Sequence, residues 1–153
     1  MKLCSACLLG LECRYDGKSN LEKASSVLLD EYRSGNLIPI CPEQFGGLPT
    51  PRSGSRICSG DGNDVLDGKS KIITDDGQDV TQQYIKGAYE ALKIAKELGI
   101  KEAILKQKSS SCGCGYTQGG LDERTVVNGD GVTTALFKRN GISIKTEKDI
   151  IYP

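Results

Sequence analysis

Short apolar runs alternate along this chain with stretches of helical periodicity, and that alternation constrains its fold more than any other feature. Residues 2–7 read as a first strand that leaves through Cys7-Leu8-Leu9-Gly10. Leu21, Ala24, Leu28, Leu29 and Tyr32 recur at helical spacing, so a helix capped by Ser19 or Asn20 is expected to reach about Arg33, with Gly35 as its stop. Residues 37–41 form a second apolar run, and Pro39 within it points to an edge position. Residues 42–64 read as one long loop, and residues 65–74 as a hairpin turning at Asp67-Gly68. Asp79 and Gln82 make a capping pair for a helix running to Leu98, with Tyr84, Ala88, Ala91, Leu92 and Ala95 on one face and Gly99 behind it. A strand over 102–106, a Ser, Cys and Gly loop over 108–120, a helix over 131–139 and a strand over 142–146 complete the order. Such alternation predicts an α/β sandwich with a mainly parallel sheet. A length of 153 residues suits a single domain over 1–153.

Two residue counts narrow the chemistry. There is no histidine, so Ser-His-Asp triads, histidine acid–base catalysis and histidine metal ligands are excluded. There are seven cysteines, Cys4, Cys7, Cys13, Cys41, Cys58, Cys112 and Cys114. In a reducing compartment such a set serves metal or redox chemistry more often than disulfides; the plain alternative is that several are small buried hydrophobes. The 20 basic and 20 acidic residues cancel, which gives no basic footprint for nucleic acid. No apolar run approaches the roughly 18–20 residues of a membrane span, and Met1 does not open a secretory leader. The expectation is a soluble cytoplasmic protein with no membrane partner.

Three of the cysteines share a context. Cys7 follows the first expected strand, Cys41 ends the second, and Cys112 lies in the loop after the strand over 102–106. In an open parallel sheet, ligands bind beyond the carboxyl ends of the strands, so three thiolates delivered there can converge. The spacing itself is not a standard signature: ferredoxin-type clusters use closely spaced cysteines, and Cys4-x2-Cys7 has no matching second half for a zinc knuckle. The neighbours carry more information. Glu43 stands two residues past Cys41 and is a candidate acid–base group. Arg52 follows the turn 46–51 and is a candidate for holding an anionic or carbonyl group. Lys106, Ser109, Ser110 and Ser111 place a cation and hydroxyls beside Cys112, where they can serve sulfur or substrate oxygen; serine-rich loops are also simply turns.

These residues resemble a known family. Ser5-Ala6-Cys7-Leu8-Leu9-Gly10, Arg14-Tyr15-Asp16-Gly17, Cys41-Pro42-Glu43, Gly46-Gly47-Leu48-Pro49-Thr50-Pro51-Arg52, Asp79-Val80-Thr81, Leu105-Lys106, Ser109-Ser110-Ser111-Cys112-Gly113 and the stretch 129–135 follow, in order and over nearly the whole chain, the pattern of the DUF523 family, which includes thiouracil desulfidases. The resemblance implies a Rossmann-like, three-layer α/β sandwich and a [4Fe–4S] cluster held by Cys7, Cys41 and Cys112, with the fourth iron open. It implies a non-redox reaction in which a thiocarbonyl substrate such as thiouracil loses sulfur as hydrosulfide and gains oxygen from water. Glu43 would then activate water and move protons, Ser109, Ser110 and Ser111 would orient substrate, and Lys106 or Arg52 would stabilise charge. Some relatives carry a further domain and act on thiolated tRNA. The neutral charge of this chain favours a free base or nucleoside as the small-molecule partner, with thiolated tRNA left open.

The chain also departs from the pattern. Cys4 and Cys13 stand where aliphatic residues are more usual and are read as packing thiols. Ser110 replaces a proline and is expected to loosen the loop that carries Cys112. Cys114 is a potential rival ligand. Competing readings are a non-catalytic Fe–S or metal-binding sulfur carrier, a thiol redox protein using Cys4-x2-Cys7 or Cys112-Gly113-Cys114, and a zinc protein with three thiolates and a water.

Overall fold

The computed structural model describes residues 1–119 and 126–151; the end of the expected Ser, Cys and Gly loop, Gly120, lies outside them. The chain opens with β1 (Lys2–Ser5), which turns at once into a 3-10 turn, Ala6–Leu9. A second 3-10 turn, Leu21–Lys23, precedes α1 (Ser26–Arg33), β2 (Leu37–Ile40) and α2 (Pro42–Phe45). Next come β3 (Ser55–Ile57), α3 (Gly62–Leu66), β4 (Ile72–Thr74) and the long α4 (Thr81–Leu98). The order ends with β5 (Glu102–Leu105), β6 (Tyr116–Gln118), β7 (Val126–Asn128), α5 (Val132–Arg139) and β8 (Ser143–Thr146).

The central sheet has the strand order β2-β1-β5-β8, and all of its pairings are parallel. Pro39 falls on β2, an edge strand, where a missing N–H does least harm. Alternate residues feed two cores. Leu3, Ile40, Ala103 and Leu105 join Ala88, Ala91, Leu92 and Ala95 of α4 and Val132, Leu136 and Phe137 of α5. Cys4, Leu37 and Ile104 point the other way, onto Leu28 of α1 and onto Leu8 and Leu9. The sheet is therefore covered on both faces, a three-layer sandwich, and this is why its strands read as continuous apolar runs rather than as alternating ones.

The strand order reverses between β1 and β5. The connection through α1 carries the chain from β1 to one edge, and the connections through α4 and α5 build outward on the other side. The carboxyl ends of β1 and β5 flank this switch point, where open α/β sheets leave a crevice.

Four local expectations are corrected. The first strand stops at Ser5, because residues 6–9 coil into a 3-10 turn. The first helix starts at Ser26, where the Ser25 hydroxyl accepts from the Leu28 N–H at 3.2 Å; Ser19 and Asn20 only precede a short 3-10 turn. Residues 42–64 are not one loop but hold α2, β3 and the start of α3. Asp67-Gly68 does not turn a hairpin: α3 ends there, and β4 pairs antiparallel with the earlier β3.

Helix α2 is only four residues long, and it is held by an unusually close crossing with α4. A Cβ on Gly87 would overlap the Pro42 carbonyl, and a Cβ on Gly46 would overlap the Gln83 carbonyl. Two glycines thus let the backbones touch, and the contact sets the position of the residue just before α2, which is Cys41.

Candidate functional site

Beyond the carboxyl ends of β1, β2 and β5 lies a cleft of about 570 Å³. Cys7, in the turn after β1, Cys41, between β2 and α2, and Cys112, in the loop after β5, all line it, together with Glu43, Arg52, Lys106, Ser109 and Ser110. The fold thus gathers residues distant in sequence because three parallel strands end side by side. Ser111 is the exception. It is fully buried, its hydroxyl shares a 2.8 Å hydrogen bond with Thr133 of α5, and it is not on the cleft wall.

Neighbouring polar groups shift each of the three thiols. Cys13 and Asn20 hold the Cys7 thiol below the ordinary cysteine range although burial opposes them. Cys41 donates to the Cys13 carbonyl at 3.9 Å, and Cys13, with the Gln44 amide and Arg52, lowers its thiol against burial. Cys13 is pushed up by Cys41, by Cys7 and by burial. Cys112 is raised, chiefly by burial and then by Glu43; a hydrogen bond from the Ser5 hydroxyl works against this. That hydroxyl also accepts from the Lys106 N–H at 2.9 Å, which ties the end of β1 to the end of β5.

The loop of Cys112 is fastened rather than loose. The Ser109 hydroxyl accepts from the N–H groups of Ser111 and Cys112 at 3.1 and 3.0 Å. The first N–H groups of α5, from Val132 and Thr133, donate to the carbonyls of Ser110 and Ser111 at 3.0 and 2.9 Å, which satisfies donors a helix start leaves without partners. The Ser110 hydroxyl donates to the Tyr84 hydroxyl at 3.3 Å. A side-chain hydrogen bond to α4 therefore holds the position where the family pattern has a proline.

The charged residues are paired. Arg52 Nη2 lies 3.2 Å from Glu43 Oε2, and the guanidinium also donates to the carbonyls of Cys13 and Pro49 and to the Thr50 hydroxyl. Lys106 Nζ lies 3.2 Å from Glu147 Oε1 and donates to the Gln107 carbonyl at 2.7 Å. Neither cation faces the cleft as an isolated charge.

Three cleft residues escaped the sequence reading. Cys13 reads as a packing thiol, because it stands where aliphatic residues are more usual in the family pattern, yet it lines the cleft and packs with Cys41 and Cys7. Asn20 reads as a cap, yet its N–H donates to the Cys7 carbonyl at 2.7 Å and the residue lines the cleft. Tyr84 looked like one more apolar residue on α4, but its hydroxyl meets Ser55 and Ser110 and lines the cleft. Of the other thiols, Cys4 is buried in the opposite core. Cys114 lies beside Lys138 and away from the cleft wall, and so does not compete as a ligand there. Cys58 is half-buried at the end of β3 and also off the cleft wall.

The donor set fits an iron–sulfur cluster. Among the described residues no three cysteine or carboxylate side chains meet closely enough to hold one metal ion, as a zinc site with three thiolates would need. A polynuclear cluster instead takes each thiolate on a different iron, so its ligands stand apart around a shared volume. Three cysteines on one cleft wall that form no single-metal group match that requirement.

Comparison with known proteins agrees. YbbK, an uncharacterized protein of Bacillus subtilis (strain 168), is 41% identical over 150 residues, which cover 98% of this chain and 97% of YbbK. The solved structure of TudS, a [4Fe–4S]-dependent thiouracil desulfidase, matches with a TM-score of 0.86 at 38% identity and covers 97% of this chain and 91% of its own. The family model for 2-thiouracil desulfurase matches residues 3–149, and this chain belongs to that family.

Proposed function

We propose that the protein is a cluster-dependent desulfidase that exchanges the sulfur of a thiouracil-like base for the oxygen of water, releasing hydrosulfide without net oxidation or reduction. The observation that carries this reading is the placement of Cys7, Cys41 and Cys112 on one cleft wall at the switch point, with the Glu43 carboxylate on the same wall. Those three cysteines would hold a [4Fe–4S] cluster. When bound, a cluster with one iron free of protein ligand supplies a Lewis acid for a soft thiocarbonyl sulfur.

The chain's own residues supply the rest. Glu43 takes the proton from attacking water and returns one to the departing sulfur. Arg52 grips one carboxylate oxygen and so fixes the direction in which the other points. Ser109 and Ser110 hold the Cys112 loop at the cleft wall, and Tyr84 offers a buried hydroxyl behind them. Lys106, neutralised by Glu147, adds a donor at the rim without a net charge, which suits an uncharged base or nucleoside. The chain would act as one domain over 1–153. Its seven free thiols suit a reducing cytoplasm, and no described helix is long and apolar enough to cross a membrane.

The test is direct. Protein loaded with iron and sulfide under anaerobic conditions is assayed for sulfide release from 2-thiouracil, 4-thiouracil, their nucleosides and thiolated tRNA. Release from bases or nucleosides supports the reading. A fully loaded protein that turns over none of the panel would be a carrier, and the proposal would be abandoned.

A further inference from the structure

Three hydroxyls from three separate elements meet on the wall of the cleft. Ser55 opens β3, Tyr84 lies in the first turn of α4, and Ser110 stands two residues before Cys112; all three line the cleft. Tyr84 and Ser110 are buried, whereas Ser55 is half-buried. The Ser110 hydroxyl donates to the Tyr84 hydroxyl at 3.3 Å, and the Tyr84 and Ser55 hydroxyls share a further hydrogen bond.

Counting protons gives this chain of hydroxyls a direction. Each hydroxyl has one proton to donate and two lone pairs to accept with. Tyr84 accepts from Ser110. A buried phenol proton without an acceptor is costly, so Tyr84 donates onward to Ser55. Ser55 is then an acceptor in that bond, and its own proton has no acceptor among the described residues. The chain runs from Ser110 through Tyr84 to Ser55 and ends in one uncommitted O–H at its half-buried end. Other polar side chains of the cleft are occupied. Arg52 and Lys106 meet protein carbonyls and carboxylates, and the Gln107 amide donates to the Cys114 carbonyl at 2.7 Å.

We propose that Ser55 is a specificity-determining residue that donates this O–H to the unreacting exocyclic carbonyl of a thiolated pyrimidine, with Tyr84 and Ser110 as positioning residues that hold the donor outward. This deepens the desulfidase reading above and rests on it. The chemistry of the free proton selects its partner. A carbonyl oxygen accepts it and leaves every hydroxyl of the chain paired. An exocyclic amino group in the same place is a donor; it would take the remaining Ser55 lone pair and leave the Ser55 proton without an acceptor. The chain therefore favours a base that keeps a carbonyl there over one that carries an amino group. One neutral hydrogen bond of this kind is worth roughly 10-fold in a binding or rate ratio.

The experiment compares wild type, Ser55→Ala, Ser55→Thr and Tyr84→Phe after anaerobic loading. Each thiouracil is paired with the analogue whose other carbonyl is replaced by an amino group: 2-thiouracil with 2-thiocytosine, and 4-thiouracil with 2-aminopyrimidine-4-thione. The readouts are kcat/KM for sulfide release and, independent of turnover, the dissociation constants of uracil, cytosine and isocytosine by calorimetry. Wild type should prefer the carbonyl member of the pair it acts on, and uracil over the matching amino product. Ser55→Ala should lose roughly 10-fold on the carbonyl members and change little on the amino members. Ser55→Thr keeps the hydroxyl and should restore the preference. Tyr84→Phe lets the Ser55 proton turn away, so the preference should fall by a smaller factor at equal iron content. A role in packing alone would weaken both members of a pair alike, and that result in Ser55→Ala overturns the inference. So does a wild type that makes no distinction within the pairs or, if Ser55→Ala does not fold, an unchanged preference in Tyr84→Phe. Each of these leaves the desulfidase reading standing as long as sulfide is released. Loaded wild type that releases no sulfide from any thiolated base removes that reading and this inference together.

Discussion

Arg52 and Glu43 form an ion pair in the cleft wall, with Nη2 3.2 Å from Oε2 and side-chain exposures of 7% and 16%. The same nitrogen donates to the Cys13 carbonyl. One guanidinium thus ties the candidate proton carrier to the segment that packs against Cys41 and Cys7. Chemistry and cluster support share a single fastening.

Separating the two partners of this pair separates two functions. Glu43→Gln keeps the size of the side chain and a polar contact to Arg52 but cannot take a proton. The expected outcome is a fall in kcat of about 10²- to 10⁴-fold at unchanged iron and sulfide content. Steady-state rates measured beside metal analysis check this, and an unaltered rate would remove Glu43 from the mechanism. Arg52→Ala instead leaves a largely buried carboxylate without its partner, a change that costs roughly 3–5 kcal/mol. A lowered denaturant midpoint together with weaker cluster retention is expected. Arg52→Lys should restore only part of either, because an ammonium cannot match the fork that reaches Glu43, Thr50 and two carbonyls.

The cysteines should divide into two groups under substitution. Alanine at Cys7, Cys41 or Cys112 is expected to abolish stable cluster binding, because each removes one of the three sulfurs on the cleft wall. Cys58→Ser should bind the same iron as wild type. Cys4→Ala should also load normally while losing about 1 kcal/mol of stability from the vacated packing volume in the core under α1. Iron and sulfide determination across the five variants distinguishes the groups. Full loading of any variant in the first group would displace that residue from the ligand set.

Much of this site was legible because parallel sheets have polarity. Once the runs around residues 3, 38 and 104 are read as strands, Cys7, Cys41 and Cys112 all fall at carboxyl ends, and the edge position of Pro39 follows from its missing N–H. Illegible parts depend on contacts that no local pattern encodes. Helix α2 is too short to show periodicity and forms where α4 supports it. The partner of β4 is the earlier β3, a pairing that Asp67-Gly68 obscured by looking like a turn. Ser111 and Ser109 sit two positions apart in one motif, yet one faces α5 and the other the cleft, which only the curvature of the loop decides. Cys13 reaches the cleft wall by packing against Cys7 and Cys41, which lie six residues before and 28 residues after it.

The close crossing of α2 and α4 predicts a remote lesion. In Gly87→Ala the new methyl group would occupy the place of the Pro42 carbonyl, so the helices must move apart or the rotation of α2 must change. Overpacking of this kind costs about 1–3 kcal/mol. Displacing α2 also displaces Cys41 and Glu43, which flank its start. The expected result is a lowered melting temperature with a disproportionate loss of cluster and of sulfide release. Crystal structures or amide exchange of the variant would locate the shift at residues 41–46; a change confined to α4 would contradict the coupling.

Tyr84 supplies a prediction in pH. Burial drives its phenol from an ordinary value of 10.0 up to about 12, and the nearby Glu43 carboxylate pushes the same way. A phenol that resists ionisation in the folded state binds its proton more tightly there than in the unfolded chain. Its contribution to stability is therefore fully present below pH 10 and drains away between about pH 10 and 12, a loss of roughly 3 kcal/mol at 1.36 kcal/mol per pH unit. Tyr84→Phe removes the titration along with the hydrogen bonds to Ser55 and Ser110. Near pH 8 the variant should be less stable than wild type by roughly 1 kcal/mol. With rising pH the wild type loses this additional term and the variant does not, so the two curves converge and then cross before pH 12. Urea midpoints for both proteins at pH 8, 10 and 11.5 measure the difference while other alkaline titrations cancel. Curves that stay parallel over that range would mean that the Tyr84 hydroxyl reaches solvent in the folded protein, and that the buried contact between α4 and the Cys112 loop is not formed as described.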